Sequence, residues 1–340
     1  MFEIGSQINE VRTDGNLEIF RQDLDYFQDI ELEAVEIPPH GLDVIKNGRL
    51  DRNRLKGVKD ILQAYDFLYT VHAPNPLNLM DSERSATHLD VFRASLTFAV
   101  EIGARALVYH AGRYIPEEAF YVTPITHRSP AVKKDMLDRE ADLLWQLADE
   151  FPDVTICIEN ARPYRHHSPY CYAEHLGLLM DQVLRIYREN VRIALDCGHL
   201  FMASRYGSYD PVNAVKEAAP WIGHCHIHDN FGDAVYYNEK QQTHQIPFGK
   251  GDSHMPVGWG SIPFEGILAA MMPHYAGCFI MELRSRYFDD TAESKENFVK
   301  IITPFKAARK NKKQQFPTEG ATGAQRYEKR KDTFYLQSKQ

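Results

Sequence analysis

The sequence has 340 residues, 44% hydrophobic and 25% charged, with a formal net charge of -8; such a chain can bury a sizeable core, which excludes collagen-like, mucin-like and wholly disordered classes. No apolar run approaches the roughly 18–20 residues of a membrane span, and the start MFEIGSQINEVRTDG carries acids where a signal peptide carries a basic flank and an apolar stretch, so the expectation is a soluble cytoplasmic protein with no membrane partner. The charge is uneven: residues 306–340 hold ten Lys/Arg and three Asp/Glu, net +7, leaving 29 against 44, net -15, in residues 1–305.

Eight short β-rich runs are expected in chain order, at residues 2–7, 32–37, 67–72, 106–110, 154–159, 191–196, 224–229 and 278–283. Between them apolar residues recur at three- and four-residue intervals, as in Leu89, Phe92, Leu96, Val100 and in Leu137, Ala141, Leu144, Ala148, which gives each helix one buried stripe. Strand and helix alternating eight times predicts an α/β fold, a single (β/α)8 TIM barrel over residues 1–305. Two connections are long, residues 111–130 after the fourth strand and 230–261 after the seventh, and barrel active sites are built from such loops. Past Lys306 the polar stretch NKKQQFPTEGATG opens a basic C-terminal tail, residues 306–340. Its charges suit a solvated extension, an arm to a subunit or nucleic acid, or a membrane-surface anchor, while Phe316, Tyr327, Phe334 and Tyr335 argue that part of it packs on protein, with a homo-oligomer left open. The five cysteines form no C-x-x-C pair and four lie in apolar runs, which favours buried reduced thiols over disulfides or a thiolate metal site.

The chemistry sits at the strand ends. His72 closes the third strand, His110 the fourth, Glu159 the fifth, Asp196 the sixth with His199 one turn on, and Glu282 the eighth; the seventh carries His224, His226 and His228 at a period of two, and Asp252 and His254 follow in its loop. Any one of these alone is more often a hydrogen-bonded or solvated residue than a ligand. Converging on one barrel mouth, they would repel unless a divalent cation turned the crowding into coordination, and carboxylates with imidazoles but no thiolate suit zinc or manganese. Glu36 and His40 either touch substrate or cap the loop after the second strand; His224, deeper than His226, reads as a core histidine. Gly258 and Gly260 read as a tight loop, and Trp259 either stacks on a sugar or base or packs on its own barrel.

The strings TVHAPNPLNL, LVYHAG, ICIEN, IALDCGHLF, HCHIHD, GDSHMPVGWGSIPF and IMEL, in this order, resemble the xylose isomerase-like TIM-barrel superfamily. Within it they are most similar to the AP endonuclease 2 group, which includes endonuclease IV and many sugar isomerases and epimerases, and the likeness runs from about Phe2 to Phe305. The resemblance implies nine ligands for up to three zinc ions: His72, His110 and Glu159 for one; Glu159, Asp196, His226 and Glu282 for the second; His199, Asp252 and His254 for the third. It equally implies, at Glu159, Asp196, His226 and Glu282, the four ligands of single-metal isomerases, with Mn2+, Mg2+ or Co2+ as alternatives. The D-x-H motif Asp252-Ser253-His254 favours the multinuclear reading. His228 is the alternative to His226, whose spacing to Asp229 fits the family better, with Asp229 orienting that ring.

Two departures argue against DNA as substrate. Asn75 stands where the endonucleases carry an aromatic residue, and the barrel's net -15 offers a phosphate backbone no basic footprint, although Arg113, Arg162 and Arg165 are placed to meet a phosphate. The leading expectation is phosphoester hydrolysis of a small phosphorylated substrate at a trinuclear zinc site, with Glu159 or Glu282 orienting the attacking water. The alternative is a sugar or sugar-phosphate isomerase or epimerase in which Glu159 and Glu282 move a proton through an enediolate. Glu36, His40, Asn75, Arg113 and Trp259 are the expected substrate contacts.

Overall fold

The computed structural model describes residues 2–122, 128–236 and 244–306. Eight parallel strands close into a barrel: β1 (Ile4–Gln7), β2 (Ala34–Ile37), β3 (Leu68–His72), β4 (Ala106–His110), β5 (Thr155–Glu159), β6 (Val191–Asp196), β7 (Ile222–Ile227) and β8 (Phe279–Met281), with β8 pairing back onto β1. The (β/α)8 architecture expected from the alternation is therefore the one formed. The expected tail beyond Lys306, with its aromatics Phe316, Tyr327, Phe334 and Tyr335, lies outside the described residues.

Parallel strands covered on both faces read as apolar runs because both rows of side chains are buried. Leu107 and Tyr109, Ile156 and Ile158, Ile193 and Leu195, and Cys225 and Ile227 belong to the large core between barrel and helices. The alternate residues Ala106, Val108, Cys157 and Ala194 form a separate small cluster, which the period of two places inside the barrel. The same inward rows continue upward into His110, Glu159, Asp196 and His226, so the polar residues sit on an apolar floor. Among the helices, Pro130–Glu150 starts on the Ser129 cap with Pro130 in its first turn and buries Leu144 and Leu147. The last helix, Thr291–Lys306, buries Phe298, whose ring lies 5.1 Å from that of Phe279 on β8; burying one such side chain contributes about 1.5–3 kcal/mol.

Two boundaries differ from expectation and matter for the site. β7 ends at Ile227, so His228 and Asp229 leave the ladder, because Asp229 exchanges backbone hydrogen bonds with Met255 in the returning loop, at 2.8 and 3.0 Å. β8 ends at Met281, which puts Glu282 just beyond it. The loop after β2 carries a small hairpin, Ile45–Lys46 with Arg49–Leu50, around Asn47 and Gly48 at φ 47° and 73°, the left-handed pair that an Asn-Gly turn supplies. All five cysteines are buried and free. Among the described residues no helix is long and apolar enough to cross a membrane.

Candidate metal centre

Strand register assembles the centre. Residue pairing sets His110 beside Glu159 across β4 and β5 and Asp196 beside His226 across β6 and β7. The helix after β6, Cys197–Gly207, starts on Asp196 itself, whose carboxylate accepts from the His199 backbone N–H at 2.6 Å, so the cap fixes His199 one turn above. Ligand atoms within 4.8 Å of one another form His72, His110 and Glu159; Glu159, Asp196, His226 and Glu282; and His199, His228, Asp252 and His254, with Glu36, His72 and His226 as a further overlapping trio. All nine residues expected as ligands are thus in these groups. In the loop, His254 has φ 44°, a left-handed backbone uncommon for a residue with a Cβ and frequent where function requires it.

Hydrogen bonds decide which ring nitrogen faces each group. His199 Nδ1 lies 2.9 Å from the Asn160 carbonyl and His254 Nδ1 2.7 Å from the Glu282 carbonyl. Both rings therefore keep a proton on Nδ1 and turn Nε2 to Asp252 Oδ2, at 3.2 and 2.8 Å. His72 Nδ1 meets the Ala73 carbonyl at 2.8 Å in the same way. His226 is the mirror case: Nε2 sits 2.9 Å from Glu36 Oε1, leaving Nδ1 3.3 Å from Glu159 Oε1 and 3.4 Å from Glu282 Oε2. A ring fixed by a hydrogen bond on one nitrogen with the other lone pair turned inward is how ligating histidines are held. Buried His72 Nε2, Glu159 Oε2 and Glu282 Oε2 make no hydrogen bond, a costly arrangement that a cation would relieve. Donors and geometry fit a divalent cation at Glu159, Asp196, His226 and Glu282, and another at His199, Asp252 and His254.

The charge balance says the same. Burial pushes the carboxyls of Glu159, Asp252 and Glu36 upward, yet the facing histidines outweigh it and hold each well below the ordinary range. Burial pulls His226 and His199 down, but the surrounding carboxylates win, raising His226 well above its usual value and His199 to about 10. In the cation-free protein these rings are protonated at neutral pH, so a cation must displace protons to bind. We expect the apparent cation affinity to rise with pH through neutrality and level off above about 10, with protons released on binding near pH 7; calorimetry in buffers of different ionisation enthalpy measures this, and pH-independent affinity without proton release would exclude these histidines as ligands.

Several expected contacts have other roles. Glu36 is not open to a substrate: it is fully buried and takes Gln7, Thr70 and His226 at 3.3, 3.0 and 2.9 Å, with His224 Nε2 2.9 Å away, which makes His224 the core histidine it was read as. His40 lines the cluster from the turn Pro39–Leu42; burial, reinforced by His72 and His110, pushes its pKa down to about 4. Asn75 has an exposed side chain and offers its carbonyl to Arg113, at 2.6 Å. Trp259 donates to Glu293 at 2.8 Å and meets Tyr287 edge-on, so it packs on its own barrel. Asp229 does not orient His226; it clamps the loop by accepting from the backbone N–H groups of Asn230, Gly258 and Ile262 at 3.0, 2.9 and 3.2 Å, and a Cβ at Gly260 would stand 2.3 Å from its carboxylate. His228 Nε2 lies 3.2 and 3.1 Å from the two Asp196 oxygens, orienting that carboxylate. Asn160, which sequence reasoning passed over, bonds the Asp196 backbone at both ends, 3.0 and 2.8 Å; its place directly after Glu159 was the available signal.

This barrel, with carboxylates and imidazoles at its strand ends, defines a class of TIM barrels with candidate metal sites. The chain belongs to the xylose isomerase-like TIM barrel family, whose model matches residues 24–302. Among solved structures it is similar to a D-tagatose 3-epimerase-like protein, at 20% identity and TM-score 0.63 over 90% of this chain and 99% of that one. It is also similar to the IOLI protein with a binding zinc atom, at 16% identity and TM-score 0.64 over 89% and 99%. A third is the 3-keto-D-glucoside 4-epimerase YcjR from E. coli in its apo form, at 17% identity and TM-score 0.60 over 87% and 100%. No curated protein matches the sequence. These relatives do not include the phosphoesterase that sequence reasoning put first, and their printed names fit its isomerase alternative better.

Proposed function

We propose that this chain is a divalent-cation-dependent isomerase or epimerase of a small sugar-like substrate, with its chemistry at Glu159, Asp196, His226 and Glu282. The observation that carries the reading is the pair of carboxylates on one imidazole: Glu159 Oε1 and Glu282 Oε2 lie 3.3 and 3.4 Å from the same nitrogen of His226. Relatives named as epimerases, and one crystallised with zinc, support it; phosphoester hydrolysis has no such support.

A bound divalent cation would hold adjacent hydroxyl and carbonyl oxygens of the substrate and stabilise the negative charge that develops on them. Glu159 and Glu282 then act on the carbon that bears that hydroxyl, next to the carbonyl, one carboxylate taking its C–H proton and the other returning one. His226 stays fixed by Glu36, and His228 holds Asp196 in the orientation that a ligand carboxylate needs. His40 lies close to His72 and His110.

Incubation with ketoses and aldoses plus Mn2+, Co2+ or Zn2+ in D2O tests the reading. Deuterium is expected at the carbon next to the carbonyl, with a new epimer or isomer. Release of inorganic phosphate from phosphate esters, without exchange into any sugar, would overturn it.

A further inference from the structure

Four of the five expected histidine ligands have a hydrogen-bond acceptor on the nitrogen away from their group, so losing one proton turns a lone pair inward; His110 does the opposite. Its Nδ1 lies 3.1 Å from Arg113 Nη2, and a guanidinium only donates. Nδ1 must therefore be the acceptor, and the neutral ring carries its proton on Nε2, the nitrogen that faces Glu159 Oε2 at 3.0 Å. A protonated nitrogen cannot ligate. Arg113 has no freedom to leave, being 5% exposed, bonded to the Asn75 carbonyl at 2.6 Å and 3.6 Å from Glu117.

We infer that the His72, His110 and Glu159 group holds no cation, and that His110 and Arg113, with Arg162 across the pocket, form a subsite for an anionic oxygen of the substrate. The pocket is lined by His110, Arg113, Glu159, Arg162, Tyr170 and His199. It thus presents the Arg113 guanidinium and an imidazole N–H beside the carboxylate shared with the cation group, with Arg162 held alongside by Tyr164, Asp252 and His199, at 2.9, 3.3 and 3.4 Å. The His110 Nε2–H faces Glu159 Oε2 at 3.0 Å, and with the side chain 15% exposed the ring also borders the pocket. Guanidinium N–H groups in a partly dry site recognise carboxylate or phosphate strongly. Arg113, whose hydrogen bond to Nδ1 keeps a cation off His110, is also the charge that attracts such a group. The inference rests on the proposed cation at Glu159, Asp196, His226 and Glu282 for the substrate's placement.

The test is metal content and anion binding, each read without turnover. Wild-type protein, His110→Ala and Arg113→Met are saturated with Mn2+, freed of excess ion and analysed, then titrated with sulfate and with acetate by calorimetry. Wild type and His110→Ala are expected to hold the same number of cations, not above two, and sulfate or acetate to bind wild type at least tenfold more tightly than either variant. Tighter sulfate marks a phosphate on the substrate, tighter acetate a carboxylate. Loss of one cation equivalent in His110→Ala overturns the inference, as does anion binding that is absent from wild type or equal in wild type and variants. His110→Ala suffices if Arg113→Met does not fold. Asp196→Asn gives the separate control: unchanged metal content there strikes the proposed cation site and not the subsite.

Discussion

Replacing Glu159 by Gln is expected to lower turnover by about 10^2–10^4, the usual weight of a positioned general base, and to weaken cation binding with it. Glu159 occupies the middle of the centre, with Oε1 3.3 Å from His226 Nδ1 and Oε2 3.0 and 3.5 Å from the Nε2 atoms of His110 and His72. Gln keeps the shape but puts an NH2 donor against nitrogens or a cation, and its oxygen neither carries the charge nor accepts a proton from carbon. Initial rates and metal analysis on the same preparation separate the two losses. If the variant refilled with cation still lost solvent deuterium exchange, proton transfer would be the larger part. Activity within about tenfold of wild type, ~1.4 kcal/mol of transition-state stabilisation, would remove Glu159 from the centre.

The fold was legible because strands buried on both faces announce themselves as apolar runs, and the centre because each run ends in a carboxylate or imidazole, as at His110, Glu159 and Asp196. What side chains do to one another was less so. The clamp of Glu36 on His226 joins residues 190 apart in sequence and requires knowing that β2 and β7 face each other across the barrel. The spacing His226 to Asp229 suggested a pair, but the chain turns out of the ladder at His228 and spends Asp229 on the loop's backbone. His228 reaches Asp196 only because residue 198 is glycine: a Cβ there would lie 2.1 Å from the His228 ring. Arg113 is three residues from His110, yet its hold on that ring depends on the Asn75 carbonyl from another loop. The reaction was open for a different reason, since the same acids serve hydrolysis and proton transfer and the ligand set alone does not choose.

His254→Ala is expected to remove one cation equivalent and leave the one at Glu159, Asp196, His226 and Glu282. His254 Nε2 is the nearest nitrogen to Asp252 Oδ2, at 2.8 Å against 3.2 Å for His199, and its ring stacks on His228 with centroids 3.8 Å apart. Without it the loop site keeps His199 and Asp252, since His228 Nε2 is turned to Asp196, and the Arg162 Nε already lies 3.3 Å from the Asp252 carboxylate. Two ligands beside a guanidinium do not hold a divalent cation against water, whereas the second group loses none of its own. The backbone should survive, because Ala has the same Cβ as His at φ 44° and the loop remains tied by the Arg284 hydrogen bond to the Asp252 carbonyl, at 2.6 Å. The cost to stability is therefore the lost Glu282 carbonyl hydrogen bond and the ring stack, about 1–3 kcal/mol. Elemental analysis of the folded variant decides the matter. A metal content equal to wild type would make Asp252 and its histidines a hydrogen-bonded network that closes the barrel mouth, and would leave a single cation to do the chemistry.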